Sequence, residues 1–169
     1  MRGLFIGRFQ PFHNGHLKVI REMASEVDKL IIGIGSAQES HTMEDPFTAG
    51  ERHLMMSESL EANQILNYYI IPIMDINRYK VWVAHVRSLV PPFDVIFTNN
   101  ELTSTLFAEA GIQVKRPRLY DRAKYSGKEV RRRMLDGDDW HALVPAPAVK
   151  VIEDIGGVQR IKTLSGGVE

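Results

Sequence analysis

Gly7-Arg8-Phe9-Gln10-Pro11-Phe12-His13-Asn14-Gly15-His16 follows the short apolar run Leu4-Phe5-Ile6 and leads into a segment, about 16–26, with Leu17, Ile20, Ala24 and Val27 at helical spacing. A strand that stops at a glycine, turns and starts a helix gathers free backbone N–H groups and a positive dipole end at one point. His13, His16 and Arg8 stand at that point. Their natural ligand is an anion, and a polyphosphate fits better than an isolated carboxylate. A metal reading is disfavoured, because helical zinc pairs stand at i, i+4 with a Glu between them, whereas Asn14 and Gly15 separate these histidines. Capping histidines would explain the imidazoles but leave Arg8, Gly7 and Gly15 without a reason. The glycines imply a backbone that something approaches closely. Phosphate binding is the reading that uses every residue.

Outward from this stretch, apolar runs of strand length cover 3–6, 30–35, 68–73, 94–97 and 112–114. Between them lie segments of helical period over about 48–60, 80–90 and 100–110, the first opened by the capping box Thr48-Ala49-Gly50-Glu51. Ser126-Gly127-Lys128-Glu129 reads as a second capping box whose helix runs to about Leu135 and stops at Gly137; 139–164 reads as helix broken at Pro145, Pro147 and Gly156-Gly157. Strands alternating with helices predict an α/β fold: a Rossmann-like, doubly wound parallel sheet with right-handed crossovers and helices on both faces. One domain is expected over 1–169, with a helical C-terminal part at about 126–164. In such sheets ligands lie at the carboxyl ends of the strands, where the strand order reverses. The polar clusters (Gly7 to His16, Ser36 to Gln38, Asp75, Thr98 to Asn100 and the basic run 115–133) all follow strands and should converge on one rim.

Composition bounds the function. Formal net charge is zero, which does not favour non-specific adhesion to nucleic acid or an anionic membrane. The absence of cysteine excludes disulfides, thiolate metal sites and a Cys nucleophile. No apolar run reaches membrane-spanning length and the first residues show no signal-peptide pattern, so a cytoplasmic location is expected. Locally the charge is uneven: between 115 and 133, nine Lys and Arg residues face only Asp121 and Glu129.

Neither G-x-x-x-x-G-K-[ST] nor G-x-G-x-x-G occurs at the first turn. The stretch 7–16 instead resembles the HxGH signature of the nucleotidyltransferase superfamily, and Tyr125-Ser126-Gly127-Lys128-Glu129-Val130-Arg131-Arg132-Arg133-Met134 resembles its second phosphate motif. Together with Gly35-Ser36-Ala37-Gln38, Pro46-Phe47-Thr48-Ala49-Gly50-Glu51-Arg52 and Trp82-Val83, the set is similar to the archaeal-type nicotinamide-nucleotide adenylyltransferases over nearly the whole chain. The resemblance implies transfer of AMP from ATP to nicotinamide mononucleotide, giving NAD and pyrophosphate, with Mg²⁺ held mainly by ATP oxygens and water. It also implies a closed homo-oligomer, often a hexamer.

On that resemblance, His16 and His13 would meet the α- and β-phosphate oxygens, and Arg8 and Arg131 would hold phosphate. Gly7, Phe9, Gln10, Asn100, Ser126 and Gly127 would complete the ATP site. Trp82 would stack on the nicotinamide ring beside Val83, Asp75 or a nearby main-chain group would bond its amide, and Ser36 would take the mononucleotide's phosphate. Arg132 and Arg133 should point elsewhere, since successive helical residues turn about 100°. Three departures stand out: Thr98-Asn99-Asn100 where the family shows Ser-Gly-Asn, Glu101 where proline is common, and Lys128 where threonine is common. The alternatives are a relative acting on nicotinate mononucleotide, phosphopantetheine or a cytidylyl acceptor, and a non-catalytic nucleotide sensor.

Overall fold

The computed structural model describes residues 1–166. Strands β1 (Arg2–Gly7), β2 (Lys29–Ile34), β3 (Tyr68–Pro72), β4 (Val95–Phe97) and β5 (Gln113–Lys115) pair in parallel in the order β3-β2-β1-β4-β5. The chain winds from β1 through β2 to β3, then crosses back to β4 on the other side of β1 and ends the sheet at β5. The strand order therefore reverses at β1, and the crevice above its carboxyl end is where the first loop emerges. Pro72 is tolerated because β3 is an edge strand, with no outer neighbour awaiting its missing N–H.

The helices are α1 (Asn14–Glu26), α2 (Ala49–Ala62), α3 (Trp82–Leu89), α4 (Glu101–Glu109), α5 (Gly127–Asp136), α6 (Ala146–Asp154) and α7 (Gly157–Ser165). They cover both faces, which is why β2 is apolar at every buried position. Its Leu30, Ile32 and Ile34 join one core cluster with Ile20 of α1, Met56 of α2, Val130 of α5, Ile152 of α6 and Ile161 of α7. Ile31 faces the opposite cluster, with Leu4, Ile96, Val86 of α3 and Phe107 of α4. Each such fully buried side chain contributes about 1.5–3 kcal/mol over an exposed one, so the two sheet faces hold the fold. Thr48 and Glu51 cap α2 reciprocally, as their spacing predicts, and Glu51 also pairs with Arg160 of α7 at 2.7 Å. Among the described residues no helix is long and apolar enough to cross a membrane.

Several boundaries differ from expectation for identifiable reasons. Helix α1 begins at Asn14, not 16, because His13 serves as its N-cap. The second capping box is only half formed: Ser126 accepts from the Glu129 N–H at 3.1 Å, but the Glu129 carboxylate turns instead to Arg132 and Arg133. Pro145 and Pro147 do not interrupt a helix but start α6, where a missing N–H costs nothing. Gly156, with φ of 67°, makes the left-handed corner between α6 and α7.

Candidate active site

The centre of the site is an unusual cap. His13 is extended at the start of α1, and its Nδ1 accepts the His16 N–H at 3.3 Å while the His16 Nδ1 accepts the His13 N–H at 3.2 Å. This is a capping box with imidazoles in both places that Ser and Glu usually fill. The rings stack with centroids 3.6 Å apart, and Phe12 and Phe9 pack against His16 at 5.6 and 4.8 Å. Because each Nδ1 is an acceptor, the hydrogen bonds assign the ring proton to Nε2 in both residues. Burial pushes the His13 pKa down to about 4. Burial and, secondarily, its neighbour His13 push His16 well below the ordinary histidine value. At neutral pH both rings are therefore uncharged N–H donors, and the arginines that line the cleft beside them are Arg118 and Arg122 rather than Arg8 and Arg131. The capping and phosphate readings, alternatives in the sequence, are compatible here: the caps occupy Nδ1 and leave Nε2–H available.

Beside the pair opens a cleft of about 580 Å³, lined by His13, His16, Asn100, Tyr120, Ser126 and Gly127 among others. That volume suits a nucleotide-sized ligand. The N-termini of α1 and α5 both meet it, through His13 and Ser126. Gly127 lets the loops close: a Cβ there would stand 2.7 Å from the Arg131 guanidinium and 2.8 Å from the Gln10 carbonyl. Gly7 and Gly15 are explained differently from expectation, since the close neighbours are the chain's own side chains. A Cβ on Gly7 would lie 2.8 Å from the Phe9 ring, and one on Gly15 2.8 Å from the Tyr125 Cβ and 3.0 Å from the His13 ring.

Two residues expected at the ATP site turn inward. Phe9 is buried in the core in a left-handed conformation, φ 55°. The Gln10 side chain makes paired hydrogen bonds, both 2.9 Å, with the main chain of Phe47. What Gln10 offers the site is its carbonyl, which accepts from Arg131 Nη1 at 2.6 Å. Arg132 and Arg133 point away, as expected, into ion pairs with Glu129, the first also with Asp136 and Asp138. Two of the three departures make contacts: Asn99 donates to the Pro117 carbonyl at 2.8 Å and Glu101 pairs with Arg116 at 3.0 Å. Both tie the strap 116–125 to the end of β4, and Lys18 lies over the strap's Tyr120 and Tyr125 rings at 5.5 and 4.6 Å.

The residues expected for the acceptor lie around the crevice rather than inside that cleft. Trp82 is half-buried at the start of α3 and walls a separate hollow of about 190 Å³ with Ile6, Ile96, Thr98, Asn100 and Thr103. Asn100 borders both hollows, although its Oδ1 is engaged by the Thr103 N–H at 2.9 Å. Val83 lines neither and packs against the second core cluster. Ser36 is buried in the loop that follows β2, with φ 45°. Asp75 is held by Gln38, whose Oε1 accepts the Asp75 N–H at 3.1 Å.

Sequence reasoning missed what braces these loops. Arg52 is fully buried and donates to the carbonyls of Arg8 and Gly35 at 2.9 Å, Thr48 and Ser36 at 3.2 Å, Glu39 at 3.3 Å and Ala37 at 3.5 Å. The signal was present: Arg52 occupies the same helical phase as the buried Met55, Met56 and Ser59. Asp45 is also buried, with Oδ2 3.5 Å from Arg8 Nη2 and, among the described residues, no donor for Oδ1. Among the described residues no three His, Asp or Glu side chains gather into a cation cage, and the carboxylate with the orphaned oxygen, Asp45, already faces the Arg8 guanidinium. These side chains do not fit a resident metal ion.

Comparison with known proteins agrees with this architecture. Residues 4–133 match the family described as cytidylyltransferase-like. The chain is 55% identical to the nicotinamide-nucleotide adenylyltransferase of Methanococcus maripaludis, over 98% of this chain and 96% of that one. It is 50% identical to the protein of the same name from Archaeoglobus fulgidus, over 98% of each chain. Among solved structures, a bifunctional NMN adenylyltransferase/ADP ribose pyrophosphatase from Francisella tularensis, complexed with AMP and a manganese ion, superposes with a TM-score of 0.80 at 22% identity. It covers 98% of this chain, which spans about half (52%) of that longer protein, and at this identity the likeness is one of fold. The chain therefore belongs to the nicotinamide-nucleotide adenylyltransferases, within the cytidylyltransferase-like nucleotidyltransferases.

Proposed function

We propose that this chain transfers AMP from ATP to nicotinamide mononucleotide, forming NAD and pyrophosphate. The mononucleotide's phosphate is largely ionised at neutral pH and needs no base to act as a nucleophile. Its oxygen bonds to the α-phosphorus of ATP as the opposite P–O bond breaks, and the electron pair leaves with pyrophosphate. The protein's task is to aim the two anions in line and offset their repulsion. The observation that carries this reading is the reciprocal His13–His16 cap, which fixes two Nε2–H donors beside a helix N-terminus at the cleft.

In this reading His16 serves the α-phosphate and His13 the α- and β-phosphate oxygens, both as neutral donors. Ser126, Gly127 and the first N–H groups of α5 take the β- and γ-phosphates, and Arg8 and Arg131 offset the charge gathering on pyrophosphate. Asn100 sits between the two hollows, while Gly7, Phe9 and Gln10 shape the loop rather than touch ATP with their side chains. Trp82, with Val83 behind it, stacks on the nicotinamide ring; Asp75 accepts from its amide and Ser36 binds the mononucleotide's phosphate. Mg²⁺, held by triphosphate oxygens and water, supplies further neutralisation when bound. A cytoplasmic location and a closed homo-oligomer such as a hexamer belong to the same reading.

The test is incubation with ATP, Mg²⁺ and, separately, nicotinamide mononucleotide, nicotinate mononucleotide and phosphopantetheine, reading pyrophosphate release and the adenylylated product. Turnover fastest with nicotinamide mononucleotide is expected. A faster reaction with another acceptor would reassign the substrate, and ATP binding without any turnover would make the protein a nucleotide sensor.

A further inference from the structure

Asp45 is a poor structural ion pair. Its side chain is 8% exposed, yet among the described residues Oδ1 finds no donor, and Oδ2 lies 3.5 Å from the Arg8 guanidinium. Burying a carboxylate is costly unless its oxygens are bonded, and one placed only for stability would have both satisfied. Its position is nevertheless fixed: the Asp45 N–H donates to Thr42 Oγ1 at 3.0 Å, and its carbonyl accepts the Thr42 N–H at 3.3 Å. Arg8 stands beside it, and its charge also acts on Arg52 and Arg131. Burial lowers the pKa of the Arg52 and Arg131 guanidiniums, and for both Asp45 is the foremost charge acting in the other direction.

We infer that Asp45 is a positioning residue for adenylyl transfer: it aims the exposed Arg8 guanidinium at the phosphate site and relieves the mutual repulsion of Arg8, Arg52 and Arg131. The inference rests on the transfer reaction proposed above. At 3.5 Å the attraction is directional without being a close hydrogen bond, so the Arg8 N–H groups stay free for an incoming anion. Arg52 cannot move, being bonded to main-chain carbonyls, and Arg131 is held by the Gln10 carbonyl. Arg8, with 56% of its side chain exposed, is the one of the three that can swing away. Without the carboxylate, repulsion from the two fixed guanidiniums drives it toward solvent. A metal cation at the orphaned oxygen would add a fourth positive centre to this group and is disfavoured.

The experiment is a double-mutant cycle of Asp45→Asn and Arg8→Ala, read as kcat and the KM for ATP. Asp45→Asn alone is expected to lower kcat about tenfold, the order for residues sharing one network. The KM for ATP should stay level or fall, because the remaining guanidiniums are then less neutralised. On the Arg8→Ala background the same substitution should change kcat by less than about threefold, since a residue acting through Arg8 has nothing left to act on. Equal losses on both backgrounds, an unchanged kcat, or a KM for ATP rising in step with the loss of kcat would each overturn the inference. If Asp45→Asn does not fold, Thr42→Val takes its place and loosens Asp45 without removing its charge. A drop in kcat confined to the Arg8 background supports the inference; no drop, or the same drop on both, overturns it. The unsubstituted protein's turnover in the same assay reports separately on the reaction itself.

Discussion

Mild acid should weaken this fold through His13 before most carboxylates are protonated. In an unfolded chain the imidazole takes its proton near pH 6.5, whereas burial delays this to about pH 4 in the folded protein. Between those values the unfolded state binds the extra proton, so stability rises with pH across the window. The contribution is complete above about pH 6.5 and is lost as pH falls toward the folded value. At about 1.4 kcal/mol per pH unit, His13 alone accounts for up to about 3 kcal/mol, and His16 acts in the same direction. The matched control is His13→Asn, because asparagine accepts the same N–H as an N-cap but does not titrate. Urea unfolding followed by tryptophan fluorescence, with Trp140 as the buried reporter, would be run on both proteins from about pH 7.5 to about pH 4.5. The parent should lose about 2–3 kcal/mol relative to the variant over that range. A difference that stays constant with pH would refute the buried, Nδ1-accepting histidine.

His16→Ala should lower kcat by about 10²–10³, the cost of one preorganised donor, with a smaller effect on ATP binding; a loss below about threefold would remove it from the chemistry. Trp82→Ala should raise the KM for the mononucleotide and leave that for ATP nearly unchanged, and equal effects on both would make Trp82 a core residue only. Gly127→Ala brings a methyl group against the Gln10 carbonyl and Arg131, and should cost about 10² in kcat/KM together with a lowered thermal midpoint, since the backbone contact must give way. Arg52→Lys keeps the charge but cannot fork to the same carbonyls, so urea unfolding should report a loss of at least about 2 kcal/mol.

The fold was legible because its signals are local and repeated. The unbroken apolar run at β2 can only lie between two covered faces, and Thr48 with Glu51 marks a helix start by spacing alone. The convergence of polar clusters followed from topology, since every one lies after a strand. Side-chain direction was less legible. Phe9 and Gln10 lie inside the signature stretch yet face the core, because a left-handed residue at Phe9 redirects the loop, and nothing in the residue types announces that turn. The glycines at 7 and 15 imply a close approach, and in the structure the close neighbours are the side chains of Phe9, Tyr125 and His13, which no spacing in the sequence reveals. Charge on the histidines was also invisible, because it depends on burial and on which ring nitrogen is taken. Arg52 and Asp45 belong to a network among segments distant in sequence, and only their helical phase or their burial gives them away.

The reach of Arg52 has a thermodynamic consequence. One guanidinium grips the carbonyl of Arg8, in the loop proposed to meet ATP, and those of Gly35 and Ser36, in the loop proposed to meet the mononucleotide's phosphate. Neither loop can relax without the other, so whichever substrate arrives first stiffens the seat of the second. By reciprocity the favour is returned in equal measure. Such a shared pin predicts that each substrate, bound first, tightens the binding of the other by the same factor, and affinities unchanged by the other substrate would refute it.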